Sequence, residues 1–130
     1  MTKILLTSVF RPFGTNDKYN KFTPPMEFFI IHLGDQGIFS PNEIHLTHAL
    51  YYIAKNIKAK TVVLDFPSIK EFSREVKKGY DYVGISYICL AFEKVKKMCE
   101  IIREITPKTK IILGGFGAVI PESQKIADYV

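Results

Sequence analysis

The sequence predicts an α/β domain: a three-layer, doubly wound parallel sheet with the flavodoxin-like strand order 2-1-3-4-5. Three observations carry this expectation. Apolar, β-branched runs at Lys3 to Val9, Thr61 to Asp65, Asp81 to Ser86 and Lys110 to Leu113 have the character of strands buried on both faces. Segments with helical period precede the second run and separate it from the third, and the third from the fourth. Such alternation calls for right-handed crossovers, and this strand order has its switch point between the first and third strands.

Taken in order, Met1 to Thr7 is a short apolar run without a small-residue cleavage site before Arg11 and Pro12, and it is expected as a buried first strand, not a signal peptide. From Phe10 to Ser40 runs a connection far longer than the usual two to six residues, punctuated by Pro12, Gly14, Pro24, Pro25, Gly34 and Gly37. Its phenylalanines make it too aromatic for a solvated linker. Ser40-Pro41-Asn42-Glu43 then combines an N-cap, a first-turn proline and a capping glutamate, which predicts a helix carrying Leu46, Leu50, Ile53, Ala54 and Ile57 on one face. Ser68-Ile69-Lys70-Glu71 repeats the capping pattern, with Phe72 and Val76 inward and Gly79 as the stop. The third helix is expected from Phe92 to Ile105, ended by Pro107. A short helix near Pro121 leads to Asp128-Tyr129-Val130, which has the look of an opening fifth strand.

The bulk properties narrow the function classes. With 130 residues and 47% hydrophobic content, the chain has the size and composition of one globular domain, and the charges are too frequent for a membrane span. A net charge of +5 raises nucleic acid as a partner, but Lys55, Lys58, Lys60, Lys70, Lys77, Lys78, Lys94, Lys96 and Lys97 are spread along the chain as solvated helix faces would be. Neither nucleic acid nor a membrane is therefore expected. Cys89 and Cys99 are expected as free thiols of a cytoplasmic protein.

Open parallel sheets bind ligands beyond the carboxyl ends of their strands. The candidate site residues are therefore Ser8, Phe10 and Arg11 after the first strand, Asp65 after the second, Ser86, Tyr87 and Ile88 after the third, and Gly114, Gly115, Phe116 and Gly117 after the fourth. The glycines permit positive φ and let a bulky ligand approach the backbone. Several chemistries are excluded by residue type: no Gly-Lys-Ser/Thr phosphate loop, no Gly-x-Ser-x-Gly elbow, and too few cysteines for an iron–sulfur cluster. Gly114-Gly115-Phe116-Gly117 also fails as a dinucleotide fingerprint, lacking the third glycine and following the wrong strand. His45 and His48 have a spacing that can share a metal, but the Ser40 signal puts both on the first helix, flanking its apolar stripe; His32 has no partner in sequence. No catalytic residue and no metal ligand is assigned.

Ser86-Tyr87-Ile88 followed by Gly114-Gly115, within the framework of Ile44 to Asp65, Asp81 to Ser86, and Lys110 to Gly115 with Pro121-Glu122 beyond, resembles the amino-terminal cobalamin-binding domain of radical S-adenosylmethionine enzymes. The resemblance covers nearly the whole chain, 1–130, and implies a piece of a longer protein. It implies that Ser86 hydrogen-bonds the benzimidazole of the cobalamin tail, and that Gly114 and Gly115 leave room for the tail, a side chain at Gly115 projecting into its path. It implies base-off cobalamin without a protein histidine, since the Asp-x-His-x-x-Gly of methionine-synthase-type domains is missing. The iron–sulfur cluster and S-adenosylmethionine would belong to a carboxyl-terminal radical domain, so the fragment would carry the cofactor without being catalytic alone. Two other classes share the fold: a cofactor-free interaction module using the 10–40 segment, and a small-nucleotide or flavin binder with a phosphate on the Gly-rich turn.

Overall fold

The computed structural model describes residues 1–10 and 47–130. Arg11, His32, His45, the Ser40 capping signal and the long aromatic segment lie outside the described residues. Within them the elements are β1 (Lys3–Thr7), α1 (His48–Asn56), β2 (Lys60–Leu64), α2 (Ile69–Val76), β3 (Tyr82–Ser86), α3 (Phe92–Ile105), β4 (Lys110–Gly114) and α4 (Ser123–Ile126). Single 3-10 turns occupy Cys89–Ala91 and Phe116–Val119.

Among the described residues the strands form one sheet in the order β2-β1-β3-β4, parallel throughout. This is an α/β fold with the flavodoxin-like order over four strands. Register brings Leu6 beside Val63 and Gly84, Gly84 beside Ile112, and Ser86 beside Gly114. At the outer edge of β4 the chain makes one parallel bridge, Ile112 with Tyr129. The Tyr129 amide donates to the Ile111 carbonyl at 3.1 Å and its carbonyl accepts from the Leu113 amide at 2.9 Å.

Side-chain alternation divides the sheet. Leu5, Val83, Ile85, Ile111 and Leu113 enter one buried cluster with Phe72 and Val76 of α2 and Val95, Met98 and Ile102 of α3. Helix α2 begins as its sequence predicts: Ser68 Oγ accepts from the Glu71 amide, and the Glu71 carboxylate accepts from the Ser68 amide at 2.7 Å. Helix α3 occupies the expected span and ends before Pro107.

Two expectations about helices are corrected. Thr47, at φ −81° and ψ 79°, is not helical, so α1 begins at His48 and not at the Ser40 signal. The Asp65 carboxylate takes the place of a local cap, as described below. Lys94 is not a solvated lysine: it is fully buried in the first turn of α3, with Nζ 3.5 Å from the Phe10 carbonyl and 5.1 Å from the Phe10 ring centroid. The turn lies against the carboxyl end of β1, and the long stem allows the ammonium to reach a carbonyl and an aromatic face.

Candidate functional site

At the carboxyl edge the first two strands are tied together by polar side chains. Asp65 accepts hydrogen bonds from the Thr47 amide at 2.7 Å, Thr47 Oγ1 at 2.8 Å and Ser8 Oγ at 2.7 Å. Ser8 Oγ in turn accepts from the Phe66 amide at 2.5 Å. Ser8 is almost fully buried, and Phe66 holds φ at +46°. These bonds fasten the start of α1 to the ends of β1 and β2. Phe10, at 1% exposure, belongs to the core. Three of the residues expected at the site, Ser8, Phe10 and Asp65, are therefore occupied by contacts within the protein.

The loops after β3 and β4 are interlocked. The Tyr87 amide donates to the Gly114 carbonyl at 3.1 Å, and the Gly117 amide donates to the Tyr87 carbonyl at 2.8 Å. The Tyr87 ring is buried, its hydroxyl is hydrogen-bonded to Ser123 Oγ, and burial pushes the phenol above its usual pKa. Each glycine has its own reason. A Cβ on Gly117 would sit 2.2 Å from Tyr87 Cε2, and one on Gly115, where φ is +84°, would sit 2.7 Å from the Tyr87 carbonyl oxygen and 3.0 Å from Ser86 Oγ. A side chain at Gly115 would therefore strike the neighbouring loop, at the Tyr87 carbonyl and Ser86 Oγ. Gly114 is different, since a Cβ there meets nothing within 4 Å. Phe116 is 85% exposed, and Ile88 is also exposed.

The open space in front of Gly114 is the end of a groove. On the sheet face opposite the α2 and α3 cluster, Leu6, Gly84 and Ile112 lie in register, with Ser86 and Gly114 next along β3 and β4. With Ala49, Leu50 and Ile53 of α1, Ile57 just past its end, and Ile4, Ile85 and Gly115, these residues line a groove with a volume of about 360 Å³. Its volume is at the small end of the roughly 300–1,000 Å³ common for ligand pockets. Glycine inside a strand costs about 0.5–1 kcal/mol against alanine, and at Gly84 the missing side chain keeps the floor low; a Cβ there would also press on Leu6 Cδ2 at 2.8 Å. Ile112 is left 37% exposed although it lies mid-strand. Ser86 lines this groove, and its hydroxyl makes no hydrogen bond to a described residue.

Of the expected site residues, Ser86, Gly114 and Gly115 meet at one groove, whereas Tyr87 and Gly117 pack the loops behind it and Arg11 lies outside the described residues. Gly84, Ile112 and the inner face of α1 were not foreseen. A glycine inside a β-branched strand was the available signal for the first. Among the described residues no group of three or more His, Cys, Asp or Glu side chains is placed to hold a metal ion, and no helix is long and apolar enough to cross a membrane. His48 is exposed at the first residue of α1, and both thiols are free, with burial pushing that of Cys99 up to about 12. Comparisons with protein-family models, curated proteins and solved structures found no match for this chain.

Proposed function

We propose that this domain binds a corrinoid, the nucleotide tail of cobalamin entering the groove between α1 and the β3–β4 face. The observation that carries the reading is the groove itself: among the described residues it has apolar walls, a floor cleared of side chains at Gly84 and Gly114, and one hydroxyl, Ser86, at the carboxyl end that bonds to no described residue. A flat heteroaromatic ring fits such walls, and a buried ring nitrogen needs a donor of the Ser86 kind. Ser86 would orient the tail; Gly114 would admit it; Leu50 and Ile53 would shield it from water. Gly115 and Gly117 would act indirectly, by holding the β3 and β4 loops together.

When bound, cobalamin would supply carbon–cobalt chemistry to a neighbouring domain, the protein's own part being binding and orientation. The rest of the proposal follows the resemblance: a cofactor-carrying domain of a cytoplasmic radical S-adenosylmethionine protein, the iron–sulfur cluster and S-adenosylmethionine being held by a carboxyl-terminal domain. It includes a three-layer arrangement and a fifth strand continuing from the Tyr129 bridge, which would complete the order 2-1-3-4-5. A phosphate on the Gly-rich turn is less well supported, because the Gly117 and Ala118 amides already donate to the Tyr87 and Gly115 carbonyls.

Titration with hydroxocobalamin, followed in the visible spectrum, tests the reading. A Cβ on Gly114 meets nothing within 4 Å and points the way for a larger side chain into the groove, so Gly114→Leu should lower binding at least about 100-fold, with thermal melts confirming that the variant folds. Ser86→Ala should cost about 0.5–2 kcal/mol, or roughly 2- to 30-fold. Spectra of His45→Ala and His48→Ala should match the wild type if no protein histidine ligates cobalt. No binding by the wild type, or full binding by a folded Gly114→Leu variant, refutes the proposal.

A further inference from the structure

We infer that the amino edge of the sheet docks an acidic segment of a partner protein. The inference is independent of the corrinoid reading, which concerns the other end of the strands. Lys3, Lys60 and Lys110 are the first residues of β1, β2 and β4, and Lys78 and Lys108 stand in the turns that enter β3 and β4. All five are exposed. Two concavities, of about 900 Å³ and about 240 Å³, adjoin at Lys3, Lys78, Gly79 and Tyr80; these five lysines line them against two carboxylates, Glu75 and Asp81. Both carboxylates are already engaged. Glu75 accepts from Lys78 Nζ and the Tyr80 hydroxyl, and Asp81 accepts from the Lys3 amide at 2.8 Å. Lys110 is shared with Asp128, whereas Lys3, Lys60 and Lys108 form no ion pair with a described residue.

These lysines come from segments far apart in sequence, and strand register gathers them: Lys3 lies beside Lys60, and Tyr82 beside Lys110. At about 4.8 Å per strand the row from β2 to β4 is about 14 Å wide, the length of four or five extended residues. The carboxyl ends of α1, α2 and α3 face this edge, each worth about half a negative charge, so they offset only part of the lysine excess. Flexible stems ending in point charges suit carboxylates at variable spacing, and such complementarity steers and orients a partner. Nucleic acid fits less well. Tyr80 and Tyr82 are only half-exposed and the Tyr80 hydroxyl is held by Glu75, so bases would gain little stacking here. Along β3 the edge is about 13 Å from Ser86, so a partner seated on it leaves the groove open.

The test titrates the full chain with a fluorescein-labelled peptide of alternating glutamate and serine, read by anisotropy. Its glutamine counterpart, tripolyphosphate and an oligothymidylate are the comparators. The acidic peptide should bind in preference to all three, several-fold more weakly when salt is raised from about 50 to about 150 mM, because the contacts are solvent-exposed. Lys3→Gln/Lys60→Gln/Lys108→Gln should weaken it about 5- to 50-fold, whereas Lys70→Gln/Lys96→Gln/Lys97→Gln, which removes the same charge from α2 and α3, should change it less than about 2-fold. Thermal melts confirm that both variants fold, and amide shifts on binding should centre on Lys3, Gly79 and Lys108. Equal weakening in the two variants would mean that net charge alone attracts the peptide, and overturns the inference. So does the absence of binding by the acidic peptide, or shifts centred on Ser86 and Gly114. Tighter binding of the oligothymidylate makes this a nucleic-acid face, and tighter binding of tripolyphosphate makes it a small-anion site; either result overturns it as well.

Discussion

Replacing Gly117 by alanine isolates a single contact. The new Cβ would lie 2.2, 2.3 and 2.8 Å from Cε2, Cδ2 and Cζ of Tyr87, whereas carbon atoms pack best at about 3.5–4.0 Å, so the ring must move by more than ~1 Å. It has little freedom to do so. Tyr87 is 4% exposed and tied through its hydroxyl to the fully buried Ser123. Overpacking of a rigid ring costs about 1–3 kcal/mol and loss of the buried hydrogen bond about 1 kcal/mol, giving about 2–4 kcal/mol in all. For a domain of this size each kcal/mol lowers the melting temperature by about 3–5 °C, so a fall of about 6–20 °C is expected. Urea unfolding at neutral pH, checked by thermal melts, measures it. Gly114→Ala is the control: its Cβ meets nothing within 4 Å and its φ is not positive, so stability should stay within about 0.5 kcal/mol or rise slightly. A double-mutant cycle completes the argument, because in a Tyr87→Leu background Gly117→Ala should cost under about 1 kcal/mol. Equal cost in both backgrounds, or a single variant within about 0.5 kcal/mol of wild type, would refute the steric assignment.

Two further perturbations address the polar ties. Asp65→Ala removes the acceptor for the Thr47 amide, Thr47 Oγ1 and Ser8 Oγ, and should destabilise by about 2–4 kcal/mol, with hydrogen exchange rising first at the α1 amides; unchanged α1 protection would show that this carboxylate does not anchor the helix. Asp128 accepts from the Ile111 amide at 2.9 Å, from Arg103 Nη2 at 2.6 Å and from Lys110 Nζ at 3.1 Å, contacts that hold its carboxyl well below the usual carboxylate range. Because the folded pKa is depressed, its contribution is present above the unfolded value of about 4 and is lost as pH falls below it. Asp128→Asn should flatten the stability profile below about pH 4 and leave its shape above pH 5 unchanged, which urea midpoints across pH 2–7 would show.

Much of the scaffold was legible in the residues because local physics decides it. The four apolar runs became β1 to β4 within a residue or two at each end, and the Ser68 capping box formed with both of its hydrogen bonds. The parallel order followed from alternation and handedness. The candidate site was legible only in part. Ser86, Gly114 and Gly115 do meet, yet Gly115 serves the loop packing while Gly84, unremarked in the sequence, lies in the groove floor.

The sequence by itself determined which segments are strands and helices, since the period of apolar residues and the chemistry of caps and breakers act over a few neighbouring positions. Only the tertiary structure decided what each glycine is for, because the atoms that a Cβ would meet come from residues distant in sequence: Tyr87 for Gly115 and Gly117, Leu6 for Gly84, open space for Gly114. It also decided where α1 begins, through a carboxylate 18 residues away, and that Lys94 is buried, through a carbonyl 84 residues away. Contacts between residues remote along the chain carry no local signature, so they become readable only once the sheet has set its strands side by side.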